Sequence, residues 1–289
     1  MKKALAIDVG GTKISYAIIN EKGEILNDIV KISTPKTKEE IENKFREIIQ
    51  EYENKVDAIA FATAGAVNKE NTQVIGSTGN LAQGYKDIIF SKLSNKKIFV
   101  ENDANCAAWA EHKIGASKGY NNSIMLTFGT GVGGGIIIEN KLLKGKSGSA
   151  GEMHFKISRE RKRKCTCGEY DCFEIYASGK GLEKTAREVF RRTDISTYDV
   201  VELDKKGNRN AHFALKIWQY DITNGIIALQ NIFDTDCFVF SGSMGKFIEV
   251  EKMEEYVNKN IVTTPTKIFH GKAGNHSGMI GAALLALEK

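Results

Sequence analysis

Three thiols fall within eight residues in the run Cys165-Thr-Cys167-Gly-Glu-Tyr-Asp-Cys172, and His154 stands eleven residues upstream of the first. Three cysteines and a histidine make a closed tetrahedral set for a structural zinc ion, which leaves no open position from which to activate water. Arg159, Arg161, Lys162, Arg163 and Lys164 lead directly into the cluster. Their charge favours the thiolates that zinc requires, although a basic run of this kind reads first as a solvated loop. A redox pair of thiols is the other chemistry open to the cysteines.

Two glycine runs come next. Gly129-Thr-Gly131-Val-Gly133-Gly134 matches G-x-G-x-x-G in form, but a dinucleotide site needs such glycines to open a helix. Here Ile136-Ile137-Ile138 follows, which reads as a strand. Gly145-Lys146-Ser147 looks like the end of a Walker loop, yet Asn140 occupies the position of the required first glycine. What remains is a pair of glycine turns, Val9-Gly10-Gly11-Thr12 and 129–134, whose backbone N–H groups can face phosphate oxygens with no Cβ in the way. Thr12, Lys13 and Thr130 add hydroxyl and ammonium donors at the tips. Asp8, at the mouth of the first turn, suits a hydrated Mg²⁺, which takes one or two carboxylates together with phosphate oxygens. Tight hairpin turns without a ligand would use the same residues.

Phosphoryl transfer to an alcohol needs a group that accepts the hydroxyl proton as oxygen attacks. Asp103 stands at a strand-to-helix junction, where α/β proteins place ligand contacts, and Asn102 beside it can donate to and accept from hydroxyls. The simpler reading of an Asp before Ala-Asn-Cys-Ala-Ala is a helix N-cap.

These residues need a scaffold. Alternation and β-branched content predict strands at Lys3 to Asp8, Lys13 to Asn20 and about Glu24 to Ser33, then a helix from Lys38 to Asn54 with Ile41, Phe45, Ile48, Ile49 and Tyr52 at helical spacing. Val56 to Thr63 and Lys97 to Val100 read as strands, and Ala104 to His112 as a helix. The plan then repeats: strands at Ser123 to Phe128 and Gly135 to Glu139 flank the second glycine turn. Helices are expected at Tyr176 to Arg192, Ala211 to Phe233 and Ser277 to Leu287, with a strand at Cys237 to Ser241 ending on Gly242. The pattern is α/β. A boundary near residues 115–120 divides it into parts 1–118 and 119–276, joined by a hinge rather than a tether.

Composition agrees with an ordinary globular protein. The 289 residues carry 41 Lys+Arg against 36 Asp+Glu, and 42% are hydrophobic, which excludes disorder, collagen and coiled coil for the whole chain. A net charge of +5 is too small to argue for nucleic acid. Asp8 interrupts the opening apolar run before it reaches signal-peptide length, and no stretch is long enough to span a bilayer. A cytoplasmic location is expected, where disulfides are rare. Cys106 and Cys237 read as small core residues.

Taken together, Ala4-Leu-Ala-Ile-Asp8-Val-Gly-Gly-Thr12-Lys, Glu101-Asn-Asp103-Ala-Asn-Cys-Ala-Ala, Gly129-Thr-Gly-Val-Gly-Gly-Gly135 and Cys165-x-Cys167-Gly-x-x-x-Cys172-x-Glu174 followed by Ala177-Ser-Gly179 resemble the ROK family of repressors and sugar kinases. The likeness runs essentially the full chain. It implies a two-lobed actin-like ATPase (ribonuclease H-like) α/β fold with a cleft between lobes, to whose first lobe the closing helix returns. It implies ATP and Mg²⁺ as cofactors beside a structural Zn²⁺. Asp103 is then the base for a sugar hydroxyl, usually the 6-hydroxyl, and Asn102 binds the sugar. Glu152 and Glu174 hold hydroxyls around the anomeric end, His154 ties the sugar pocket to the zinc, and Gly65 and Asn80 line the opposite wall. Asp8, Gly10, Gly11, Thr12, Lys13, Thr130 and Gly131 bind ATP phosphates, and Gly242 lies near the adenosine side.

Two departures stand out. The family usually reads Glu-x-Gly-His, whereas Glu152-Met-His154 is one residue shorter, which leaves open whether His154 still reaches the zinc. Asp171 replaces the glycine common before the last cysteine, which leaves the final turn open.

The resemblance points to an ATP-dependent kinase of a hexose or N-acetylhexosamine, leaning to N-acetylmannosamine with glucose as the alternative. Glu152 stands where several bacterial N-acetylmannosamine kinases carry His, which weakens that lean. N-acetylglucosamine and fructose come next. A sugar-responsive repressor is the competing class, but it needs a helix-turn-helix ahead of the first phosphate motif, and Asp8 lies only eight residues from the start of the sequence. The expected partners are sugar and ATP, without nucleic acid or membrane, in a homodimer that closes around its substrate.

Overall fold

The computed structural model describes residues 1–76, 79–158 and 163–288. In chain order its regular elements are β1 (Lys3–Val9), β2 (Lys13–Asn20), β3 (Val30–Ser33), α1 (Lys38–Tyr52), β4 (Ala58–Thr63), β5 (Ala66–Val67), β6 (Val74–Gly76), β7 (Ile98–Asn102), α2 (Asp103–Ile114), β8 (Ser123–Phe128), β9 (Val132–Ile138), β10 (Lys141–Leu142), α3 (Phe173–Ala177), α4 (Gly179–Phe190), α5 (Thr197–Lys205), α6 (Arg209–Phe233), β11 (Cys237–Ser241), α7 (Val250–Asn260), β12 (Lys267–His270) and α8 (Ser277–Glu288). The larger sheets are ordered β3-β2-β1-β4-β7 and β10-β9-β8-β11-β12. Two compact units result: Met1–Asn121 with Gly135–Gly151 and Gly271–Lys289, and Asn122–Gly134 with Glu152–His270. Residues 135–151, grouped by sequence with the second part, thus pack in the first unit. There Ile137 and Ile138 pair with β10, and Gly135 lies against Ala104 and Ala108 of α2.

In the first unit, β1 pairs antiparallel with β2 and parallel with β4, which pairs parallel with β7. A sheet covered on both faces must be apolar on both, and β4 (Ala-Ile-Ala-Phe-Ala-Thr) is buried along its whole length. The alternation sorts side chains by size. Leu5, Ile7, Ile59 and Phe61 face the cluster that includes Ile41, Phe45 and Ile49 of α1. Ala4, Ala6, Ala58, Ala60 and Ala62 face Cys106, Trp109 and Ala110 of α2 and Met279, Ala282 and Ala283 of α8. Small residues on this face let two helices lie close to the strands. They also lie close to each other: a Cβ on Gly281 would meet the Cys106 carbonyl oxygen at 1.7 Å. Gly281→Ala is therefore expected to push α8 off α2 and destabilise the fold by about 1–3 kcal/mol, read as a lower urea midpoint.

Local signals explain most element ends. Thr37 caps α1 in a capping box with Glu40. The helix expected from Tyr176 to Arg192 is instead two, because Ser178 leaves helical geometry and its hydroxyl accepts the Gly181 N–H at 3.1 Å. Only Val30–Ser33 of the third predicted strand is regular; ahead of it the Asn27 side chain accepts the Ile18 N–H at 2.6 Å. In the second unit, β8, β11 and β12 are parallel neighbours. Trp218, in the middle of the long helix α6, is fully buried and donates its indole N–H to the Ala177 carbonyl at 2.8 Å. No helix of the described residues is long and apolar enough to cross a membrane.

Candidate functional site

In the first unit, β1 ends next to the glycine turn. The Gly10 N–H donates to the Lys13 carbonyl at 3.0 Å and Thr34 donates its hydroxyl to the Gly10 carbonyl at 2.6 Å, which fixes the turn and leaves Thr12 and Lys13 exposed. The backbone oxygen of Asn80 lies so close to Gly11 that a Cβ there would meet it at 2.4 Å. Asp8 is largely buried, and burial, followed by the Asp103 charge, pushes its carboxyl up to about 6 against the pull of Lys13. The influence of Asp103 on Asp8 places the two in one electrostatic neighbourhood.

Asp103 is not the cap of α2. Asn102 is: its side-chain oxygen accepts from Ala104 and Asn105 N–H at 2.9 and 3.1 Å, while its amide donates to the Gly65 carbonyl at 3.1 Å. Asp103 is the first helical residue, exposed, with one carboxylate oxygen 2.8 Å from the Ala104 N–H. The division of labour leaves a solvent-facing carboxylate at the positive end of a helix.

Four residues of the second unit converge. His154, Cys165, Cys167 and Cys172 offer ligand atoms that all lie within 4.8 Å of one another. Cys167 and Cys172 sulfurs are 3.6 Å apart, and His154 Nδ1 is 3.5 Å from Cys165 Sγ. A tetrahedral zinc with bonds of ~2.3 Å to sulfur sets its ligand atoms ~3.8 Å apart, so the set fits the ion. The shortened Glu152-Met-His154 spacing keeps His154 in the cluster, and Met153 between them is buried. The knuckle turn closes through Cys165 N–H to the Glu169 carbonyl at 2.8 Å. The Glu169 N–H lowers the Cys167 thiol, whereas burial and the neighbouring thiols push Cys172 up to about 12.

Asp171 has φ of 61°, the left-handed conformation that glycine adopts easily. Its carboxylate accepts from the Arg163 N–H at 2.8 Å and the Tyr176 hydroxyl at 2.6 Å, so the turn keeps a glycine-like backbone and gains two bonds. Arg163 departs from the solvated-loop expectation. Its side chain is buried, spans Glu188, Thr185 and the Gly181 carbonyl, and lies over the Tyr176 ring. Arg159, Arg161 and Lys162 lie outside the described residues, and Lys164 is exposed.

Glu174 links this knuckle to the second glycine turn. One carboxylate oxygen accepts from the Thr166 hydroxyl at 2.9 Å, the other from the Val132 N–H at 3.2 Å. A Cβ on Gly131 would meet the latter at 2.5 Å, so a side chain there would displace the Glu174 carboxylate from this position. Thr130 is exposed at the tip, and Gly242 lies against Phe128. Glu152 is exposed, 4.0 Å from His154 Nε2. The sequence motifs named Glu174 but not Thr166 or Val132, whose parts depend on a fold-dependent approach of turn and knuckle.

The ROK family model matches residues 4–289. The chain belongs to the ROK family. Curated ROK relatives include a glucokinase of Streptomyces coelicolor, 29% identical and covering 100% of this chain and 98% of its own, and an N-acetylmannosamine kinase of Escherichia coli, 30% identical over 97% of each. Among solved structures, a ROK glucokinase of Streptomyces griseus in complex with glucose and AMPPNP superposes with a TM-score of 0.81 at 27% identity, covering 99% of this chain and 100% of that one. The mixed α/β fold with two five-stranded sheets is thus that of the ROK kinases, the actin-like ATPase fold.

Proposed function

We propose that this ROK protein is an ATP-dependent sugar kinase that transfers the γ-phosphoryl group to the 6-hydroxyl of a hexose or N-acetylhexosamine. The observation that carries the reading is the exposed Asp103 carboxylate at the start of α2, beside an Asn102 already oriented by its cap and by Gly65, in a chain whose relatives at 29 and 30% identity are named sugar kinases. Asp103 accepts the hydroxyl proton as oxygen attacks phosphorus, the role a base plays in phosphoryl transfer. Asn102, Gly65 and Asn80 of the first unit contact the sugar, and Gly10 to Lys13 present N–H, hydroxyl and ammonium donors to phosphate. In the second unit Glu152, His154 and Glu174 take sugar hydroxyls, Thr130 and Gly131 meet phosphate, and Gly242 lies by the nucleoside.

Asp8 suits Mg²⁺ because a carboxylate whose pKa is raised by burial and by the Asp103 charge would be relieved by a divalent cation, which would supply charge neutralisation on the phosphate oxygens. His154 and the three cysteines would hold zinc as a structural ion that shapes the loop carrying Glu174. Purified protein is accordingly expected to contain about one equivalent of zinc, lost together with folding cooperativity on strong chelation. Less than half an equivalent after gentle purification counts against the assignment.

Glucose and N-acetylmannosamine are the acceptors that the relatives name. A coupled ADP-release assay over these two, N-acetylglucosamine and fructose is expected to give turnover on glucose or N-acetylmannosamine at least tenfold above the poorest sugar. ADP release independent of all four sugars contradicts the reading.

A further inference from the structure

Glu101 is buried, its side chain 1% exposed, one residue before Asn102. Its carboxylate takes four donors. One oxygen accepts from the Asn102 N–H at 2.8 Å and the Asn105 amide at 3.1 Å. The other accepts from the Asn71 amide at 2.6 Å and the Lys144 ammonium at 2.5 Å. Lys144 is itself 13% exposed and lies 43 residues away in sequence, just past β10, where Leu143 N–H is tied to the Ile136 carbonyl at 2.8 Å.

An ion pair taken out of water loses several kcal/mol of solvation per ion, and apolar residues of similar volume often do as well for stability. The geometry here favours another reason for keeping the charges. The Asn102 N–H bond to Glu101 spans the point where β7 becomes α2. The Asn105 bond is kept although it leaves the Asn105 side-chain oxygen buried with no donor among the described residues, an arrangement that costs about 1–3 kcal/mol. Glu101 is therefore bonded through one oxygen to the first helical turn and through the other to Lys144 and Asn71.

We propose that Lys144 and Glu101 form a positioning pair that sets the Asn102 and Asp103 geometry for phosphoryl transfer. The inference rests on the kinase reading above. Neither residue touches substrate in this scheme; both act through the strand-to-helix junction.

The test compares wild type, Lys144→Met, Lys144→Arg and the double variant Glu101→Gln/Lys144→Met, using Mg·ATP and the sugar that wild type phosphorylates fastest. Lys144→Met is expected to lower kcat at least tenfold with KM for ATP within twofold of wild type, and Lys144→Arg to restore kcat to within threefold. The double variant leaves no unpaired buried charge. It is expected to melt near wild type yet keep the kcat loss, so it carries the comparison if Lys144→Met does not fold. A folded Lys144→Met or double variant with kcat within twofold of wild type overturns the proposal, as does an arginine variant as impaired as methionine.

Hydrogen exchange of the 101–106 segment, read on the same proteins without substrate, should quicken in Lys144→Met and return in Lys144→Arg. Unchanged exchange also overturns the pair's role. If wild type shows no sugar-dependent ADP release, the kinase reading has failed instead, and the exchange comparison still decides whether the pair orders the junction.

Discussion

Asp103→Ala is expected to lower kcat for sugar phosphorylation by about 10²–10⁴-fold, the range a positioned general base contributes, while the protein unfolds at nearly the wild-type temperature. Retained folding follows from the local structure. The side-chain cap of α2 is supplied by Asn102, so removing the Asp103 carboxylate loses a favourable helix-dipole contact of about 0.3–1 kcal/mol and relieves its repulsion of Asp8. KM for the sugar should change little, because Asn102 keeps its bonds to Gly65 and to the first turn. Asp103→Asn, which keeps the shape and loses the basicity, should be nearly as slow. Full turnover in either variant removes Asp103 from the chemistry.

Asp8→Asn is expected to separate stability from activity. The Asp8 carboxyl titrates near 6 in the folded chain against 3.8 ordinarily, chiefly through burial and then through Asp103. A raised acid pKa means that the ionised form is disfavoured on folding, so wild type is penalised at pH values above about 6 and the penalty disappears as pH falls toward 3.8. At 1.36 kcal/mol per pKa unit, the full penalty is about 3 kcal/mol. Ligand-free Asp8→Asn should therefore resist urea better than wild type at pH 8 by up to that amount, and the difference should shrink to about a third of it near pH 4.5 and fade below 3.8. Its turnover with Mg·ATP should be nearly lost, since the carboxylate intended for the metal is gone. If the ionised form serves Mg²⁺, as proposed, wild-type kcat/KM for ATP should decline as pH falls below about 6, the free-enzyme value. Equal stability of the two proteins at pH 8 would contradict the buried-charge account of Asp8.

The strand, glycine turn and strand of residues 3–20 were legible because alternation and glycine punctuation are local signals, and the register of β1 with β2 follows directly from them. The α/β class was legible for the same reason. Local signals did not reveal how α3 and α4 divide. The apolar spacing from Tyr176 to Arg192 runs on across Ser178-Gly179-Lys180-Gly181, and the break falls where Ser178 caps the second helix. Arg163 looked like part of a solvated run, because its partners Tyr176, Thr185 and Glu188 lie 13 to 25 residues further along the chain. Lys144 carried no signal, since its meaning depends on Glu101, which folding brings beside it. His154 shows the converse. Its spacing departs from the family pattern, yet its ring nitrogen stands 3.5 Å from Cys165, a closeness that the local spacing does not show.

The most direct measurement of the central claim is where the phosphate goes. Phosphorus and proton NMR of the product formed from ATP and glucose or N-acetylmannosamine should show phosphorus coupled to the two protons on carbon 6 and one ADP released per phosphate transferred. The corresponding 6-deoxy sugar should release none. ATP left intact in the presence of both sugars, or phosphorus coupled to a ring position, would contradict transfer to the 6-hydroxyl with Asp103 as its base.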